Sequence, residues 1–312
     1  MPTIDHIICP VDVSPTARPL IAFASMWARW YDAELHVLHA VTPPQVMGDP
    51  FGGVVLATRT RSWQQVQAEL CRIVPDTVVE TRRWTLDVVE ASPVEAILAA
   101  ARKRPHSMVI MATHGRSGLD RIVHGSVTAA VTHHAPCGVL VLPDRLADSH
   151  EPLPPCQRIL CAVDFLPSSR HALQHAVQLA EQSDAKLEVI HVLETAGDAE
   201  ALALRHFSVP EYHNARFHEA ADELRRSIPE RARRWCTIGE TVATGQPAWE
   251  LLRAAEATQA DLIVMGAGDR YHLRSMWLGG VTDHLLRLAH APVLIVPAAT
   301  AEPASDTRNE YD

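Results

Sequence analysis

The chain has 312 residues, 47% of them hydrophobic and 21% charged, which is enough for two ordinary domains, each with its own core. No apolar run reaches the ~20 residues of a membrane-spanning helix. Met1 to Pro10 has no basic patch before an apolar stretch, so no secretory signal is expected and the protein reads as cytoplasmic. The net charge of −9 lies wholly in residues 146–312, with 15 Lys+Arg against 24 Asp+Glu, while residues 1–145 balance at 13 and 13. This lacks the basic stripe of a nucleic-acid binder, and the neutral half is the better host for a polyanion.

In chain order, residues 4–11 form a short apolar strand ending at Asp12. Pro15 to about Tyr31 is helical, with Leu20, Ile21, Ala24 and Trp27 on one face. Residues 34–41 are the next strand. Residues 42–57, with Pro43, Pro44, Gly48, Pro50, Gly52 and Gly53, are expected as a loop. A helix is expected from about Arg59 to Ile73 and a strand from about Thr77 to Trp84. Ser92-Pro93-Val94-Glu95 has the form of a helix start, and that helix runs to near Arg104. Met108 to Thr113 is a buried strand, Val127 to His134 a short helix, and Gly138 to Leu142 the last strand. Near-continuous apolar strands separated by helices imply a parallel sheet covered on both faces.

The pattern then repeats. Ile7-Ile8-Cys9-Pro10-Val11-Asp12 returns as Ile159-Leu160-Cys161-Ala162-Val163-Asp164, a shift of 152 residues. Leu35 to His39 returns as Leu187 to His191 at the same shift. Val109-Ile110-Met111-Ala112 returns as Ile263-Val264-Met265-Gly266, and Val139 to Pro143 as Val293 to Pro297, both at a shift of 154. Four ordered recurrences define a tandem duplication. The domains are expected at 1–145 and 157–297, with a proline-containing linker at 146–156 and a polar tail at 298–312.

The six cysteines contain no CxxC pair, so a disulfide framework or a cysteine zinc site is not expected. Eighteen histidines invite a metal reading. His206, His213 and His218 lie near Asp198 and Glu200, but the five-residue step from His213 to His218 is poor for one helical face, and no metal ligand is assigned. His39 and His191 recur at equal strand ends and are expected to serve the fold.

The chemistry is expected after the strand ending at Thr113. Ala112-Thr113-His114-Gly115 is followed, nine residues on, by Gly125-Ser126 opening a helix. Small residues let the backbone approach a ligand. A helix N-terminus favours an anion by roughly 0.3–1 kcal/mol. Ser126 adds a hydroxyl, and Arg116 a charge-assisted contact. Asp12, Ala40 and Ala112 all lie at C-terminal strand ends, where parallel sheets bind ligands. Glycine spacing alone is equally satisfied by turns.

Pro10-Val11-Asp12, His39, Val109 through Leu119, Gly125-Ser126-Val127-Thr128 and His134-Ala135-Pro136-Cys137 together resemble the universal stress protein family, over nearly the whole chain. The resemblance implies two tandem domains, each a five-stranded parallel sheet sandwiched by helices, Rossmann-like and similar to adenine nucleotide alpha hydrolases. It implies that the last strands pair across a dimer-like interface, here within one chain, with a further homodimer open. It implies ATP, with Mg2+, as ligand; the charge pattern and the lack of a long apolar run already speak against nucleic-acid and membrane partners. ATP-binding members carry G-x2-G-x9-G-[ST]; here Ala112 replaces the first glycine, while Gly115, Gly125 and Ser126 match. By resemblance, Met111, Ala112, His114, Gly115, Gly125, Ser126, Val127 and Thr128 line phosphates and ribose. Pro10, Val11, Asp12 and Ala40 surround the adenine.

The second copy departs further. Gly266 and Gly279 match the first and third glycines, but Asp269 stands for the second and Gly280 for the hydroxyl. A degenerate site is expected there, completed by Val163, Asp164 and Val192. For catalysis there is no G-x4-G-K-[ST], and Lys103 and Lys186 are the only lysines. No SGGxDS, G-x-S-x-G or HExxH occurs. Asp12 is a candidate general base or metal-site carboxylate, although its twin Asp164 beside a degenerate loop argues for a structural or adenine-side role. Three functions follow: a nucleotide-binding regulator without efficient turnover, a slow magnesium-dependent ATPase, or a ligand-free scaffold.

Overall fold

The computed structural model describes residues 4–43, 46–48, 54–56, 63–75, 78, 83–113, 126–143, 156–194, 209–268 and 280–298. The first half runs β1 (His6–Pro10), α1 (Ala17–Tyr31), β2 (Glu34–Val41), β3 (Val46–Gly48), β4 (Val54–Leu56), α2 (Trp63–Ile73), β5 (Trp84–Glu90), α3 (Pro93–Lys103), β6 (Ser107–Ala112), α4 (Ser126–His134) and β7 (Gly138–Leu142). The second half runs β8 (Arg158–Ala162), α5 (Pro167–Ser183), β9 (Lys186–Leu193), α6 (Val209–Ser227), α7 (Ala232–Trp235), β10 (Ile238–Thr244), α8 (Pro247–Ala257), β11 (Leu262–Gly266), α9 (Gly280–Leu288) and β12 (Val293–Val296).

Each half contributes five parallel strands, and the two sets join into one ten-stranded sheet in the order β10-β9-β8-β11-β12-β7-β6-β1-β2-β5. The join is the antiparallel pair β7–β12, with Leu140 opposite Leu294 and Val139 opposite Ile295. Left open, these two fully apolar strands would be edges prone to pair with other chains. Pairing them inside one chain removes both edges and fuses the halves.

The central strands are buried on both faces, as their apolar runs require, while the outermost strands β5 and β10 are half-buried. Ile7, Cys9, Leu35 and Val37 pack toward α1 and α2, while Ile8, Leu38, Val109 and Met111 pack toward α3 and α4. Alternation along each strand sends neighbours to opposite layers. Cys9 and Cys161 are fully buried twins, and burial pushes both thiols above their ordinary pKa. Helix α3 begins with the capping box read from sequence. The Glu95 backbone N–H donates to Ser92 Oγ, and the Ser92 backbone N–H donates to the Glu95 carboxylate.

Two expectations need correcting. The 42–57 segment is not loop throughout, because Val46–Gly48 and Val54–Leu56 form a small antiparallel ladder; its glycines and prolines concealed two short apolar runs. The strand expected at 77–84 runs on to Glu90, paired with β2 from Leu35↔Trp84 to Val41↔Glu90, while residues 77 and 79–82 lie outside the described residues.

Candidate functional site

Hydrogen bonds at the C-terminal strand ends show how closely the halves duplicate each other. The Val11 N–H donates to Leu38 O at 2.9 Å, and its twin Val163 donates to Ile190 O at 2.9 Å. The Thr113 N–H reaches Leu142 O at 3.2 Å, and Ala267 reaches Val296 O at 2.8 Å. His39 Nδ1 lies 2.8 Å from Val11 O, and His191 Nδ1 lies 2.7 Å from Val163 O. A carbonyl only accepts, so each ring carries its proton on Nδ1. These histidines tie the second strand of each half to the turn after the first, the fold role expected of them.

In the first half, Pro10 closes β1 and Val11 and Asp12 follow it, while Ala40 lies near the end of β2 and Met111 and Ala112 end β6. The Asp12 carboxylate accepts a hydrogen bond from Ser14 Oγ, which sits 2.8 Å from Thr16 Oγ1. Ser126 is the first residue of α4, followed by half-buried Val127. Thr128 is buried, and its hydroxyl lies 3.2 Å from Ala112 O and 3.4 Å from Thr113 O, to which it donates. That hydroxyl therefore pins α4 to the end of β6. His114, Gly115, Arg116 and Gly125 lie outside the described residues, as do Asp269 and Gly279.

In the second half the equivalent positions converge on one cavity of about 310 Å³. Val163, Asp164, Val192, Met265, Gly266, Gly280, Val281 and Thr282 line it, which brings together every described residue expected there. Glu194 and His133 are also in its wall. Glu194 is the repeat equivalent of Thr42 and adds a carboxylate that the first half lacks. Asp164 accepts from the Leu166 N–H at 3.0 Å, and its own N–H donates to Ser169 Oγ at 3.2 Å. Phe165 stacks on His191 with ring centroids 4.3 Å apart. His133 belongs to α4 of the first half, so the β7–β12 join brings a foreign side chain to this cavity. Sequence reasoning missed Glu194, Thr282 and His133. The repeat shift pointed to the first two; only the join reveals the third.

Gly266 has a local reason to be glycine. A Cβ there would lie 2.6 Å from Ser169 N and 2.7 Å from both the carbonyl carbon and Oγ of Ser168. The start of α5 is packed against the strand end, so bare backbone is needed for packing whatever the cavity holds. The first half carries Ala112 at this place, where α1 begins two repeat positions later, at Ala17.

Fold and strand-end geometry define a duplicated parallel α/β protein whose open ends face one way in each half. The universal stress protein family profile matches residues 3–143 and again 155–297. A universal stress protein of Mycolicibacterium smegmatis is 25% identical over 300 residues, covering 93% of this chain and 96% of the relative. One from Thermus aquaticus is 31% identical over 137 residues, 44% of this chain and 96% of the relative. The crystal structure of a universal stress protein from Archaeoglobus fulgidus superposes with a TM-score of 0.63 at 18% identity, covering 95% of this chain and 99% of that one. This chain belongs to the universal stress protein family, with two tandem domains.

Proposed function

We propose that the protein binds ATP, with magnesium, in its first half only, and acts as a stress-response regulator without efficient turnover. The observation that carries this reading is the cavity at the strand ends of the second half. Its lining includes the repeat equivalents of Val11, Asp12, Ala40, Ala112 and Ser126, which supports a ligand place at the same strand ends of the first half.

Charge argues for occupancy of one half. Asp164 and Glu194 both line the second cavity, and no Lys or Arg does so among the described residues. In the sequence, Asp269 stands where the first half has Gly115. A carboxylate about 4 Å from a phosphate oxygen opposes it by roughly 4 kcal/mol at an effective dielectric near 20. Replacing the Ser126 hydroxyl with Gly280 removes a donor worth about 0.5–1.5 kcal/mol. Ala112 weighs the other way, but a methyl group is a smaller obstacle than a charge. The absence of a Walker lysine in the sequence supports slow or no hydrolysis.

Calorimetry on the purified chain tests the proposal. One ATP per chain is expected, lost in Gly115→Asp, with a second site gained in Asp269→Gly/Gly280→Ser. Two equal sites, or nucleotide held only by the second half, would refute it. Steady phosphate release on the order of 1 per second or more, abolished by Asp12→Ala, would establish the ATPase reading instead. A chain that binds no nucleotide would be a scaffold.

A further inference from the structure

At the opposite end of the same strands, three side chains converge for a reason unrelated to the strand-end cavity. His6 opens β1 and Glu34 opens β2, and the sheet register sets them side by side. His36 follows two residues later on β2, so it points to the same face as Glu34. His6 Nδ1 lies 3.0 Å from His36 Nε2. The Glu34 Oε2 atom lies 3.9 Å from the first nitrogen and 3.7 Å from the second. All three candidate donor atoms lie within 4.8 Å of one another.

We propose that His6, Glu34 and His36 form a zinc site at the N-terminal ends of β1 and β2. Four-coordinate zinc with bonds of about 2.0–2.2 Å spaces its ligands roughly 3.3–3.5 Å apart. The three observed separations bracket that value. Without a cation, the imidazole nitrogens share one N–H···N hydrogen bond, and the carboxylate stands beyond hydrogen-bond reach of both. A cation at the centre engages all three.

The surroundings support ligation. Thr85 Oγ1, on the strand next to β2, is 2.8 Å from His36 Nδ1. When the hydroxyl accepts the Nδ1 proton, the Nε2 lone pair faces His6 and Glu34, the outer-shell arrangement that orients metal-bound histidine. The His36 side chain is 6% exposed, against 29% for His6 and 38% for Glu34, so the trio is anchored inside and open on its outer side. That leaves a fourth position for water or an incoming ligand. Arg104 brings a positive charge near His36, but it sits 3.5 Å from Asp87, which offsets it. Two imidazoles and a carboxylate suit zinc and its transition-metal neighbours and do not suit magnesium or calcium.

The second half is an internal contrast. The repeat equivalents of His6, Glu34 and His36 are Arg158, Lys186 and Glu188, in the same register, and two cations cannot hold a third. The site therefore belongs to the first half. It lies about 13 Å down β1 from Pro10 at ~3.3 Å per residue, clear of the proposed nucleotide.

Full-length protein stripped with EDTA is titrated with zinc chloride against a chromophoric chelator, and loaded in parallel with Co2+ for absorption spectroscopy. One zinc per chain is expected at this site, with Co2+ d–d bands and no thiolate charge-transfer band, and no competition from Mg2+. Glu34→Gln and His36→Gln each weaken zinc at least ~10-fold; Thr85→Val, which removes only outer-shell support, weakens it about 10-fold. The His6→Gln/His36→Gln double variant loses the site. Circular dichroism verifies each fold, and the more exposed His6→Gln single variant keeps the test available if the buried change unfolds the chain. Unchanged zinc affinity in the double variant, a thiolate cobalt spectrum, or zinc held no more tightly than magnesium would overturn the proposal.

Discussion

Replacing Gly266 with alanine isolates a single contact in this fold. The new Cβ would sit about 0.8 Å inside ordinary van der Waals distance of Ser169 N, and nearly as deep against the Ser168 carbonyl carbon. Both are backbone atoms at the start of α5, so no side-chain rotation relieves the overlap. Ser168 and Ser169 are 0% and 2% exposed, and Ala172 and Leu173 behind them are also buried. The first turn of α5 must therefore retreat from β11, loosening that packing. Overpacking of this kind costs about 1–3 kcal/mol. Gly268→Ala is the matched comparison. A Cβ there meets nothing within 4 Å, but the residue has φ +75°. Its cost is conformational, about 1–2 kcal/mol, and leaves α5 in place. Urea unfolding of both variants measures the totals. Hydrogen exchange in the first turn of α5 separates the mechanisms, rising in Gly266→Ala and not in Gly268→Ala. A Gly266→Ala protein within 0.5 kcal/mol of the parent, with unchanged protection, would refute the packing argument and leave Gly266 to be explained by ligand approach.

Three further predictions address other parts of the fold. Ser92→Ala removes the capping box of α3 and should cost about 1 kcal/mol in thermal or chemical unfolding; an unchanged midpoint would mean that the cap carries no load. Leu140→Ala, at the fully buried join opposite Leu294, should cost about 2–5 kcal/mol and split unfolding of the halves into two steps; one transition at the parent midpoint counts against the join as their coupling. His175 is an acid-sensitive group. Burial, and next the charge of neighbouring His171, lower its pKa to about 4. The unfolded ring titrates near ~6.5, so between these values unfolding takes up a proton and stability rises with pH. The contribution is whole above pH ~6.5 and is lost as pH falls toward about 4, by up to ~3 kcal/mol. His175→Gln should flatten the stability curve across that window relative to the parent, and parallel curves would show that other groups govern acid unfolding.

The residues around the second half's strand-end cavity are legible in sequence because their signals are local and occur twice. Apolar runs put Asp12, Ala40 and Ala112 at strand ends and the family resemblance adds Thr128; their repeat equivalents Asp164, Val192, Gly266 and Thr282 line one cavity. Local signals did not carry the strand expected at 77–84 on to Glu90, because its extent depends on pairing with β2. They also could not tell why a glycine is a glycine. Gly266 looked like a place for ligand approach, yet it is also where the start of α5 touches the strand.

The sequence alone determined the duplication, the alternation of strands and helices and the family, because each is written in neighbouring residues or in their repetition. Tertiary structure alone decided what lies far apart in the chain. Pairing of β7 with β12 makes one sheet of ten strands and carries His133 into the second half's cavity. Register between β1 and β2 brings His6 to Glu34 and His36 across 28 and 30 residues of chain. A side chain's partners across a sheet are set by hydrogen-bond register between strands, and no spacing along the chain records that register.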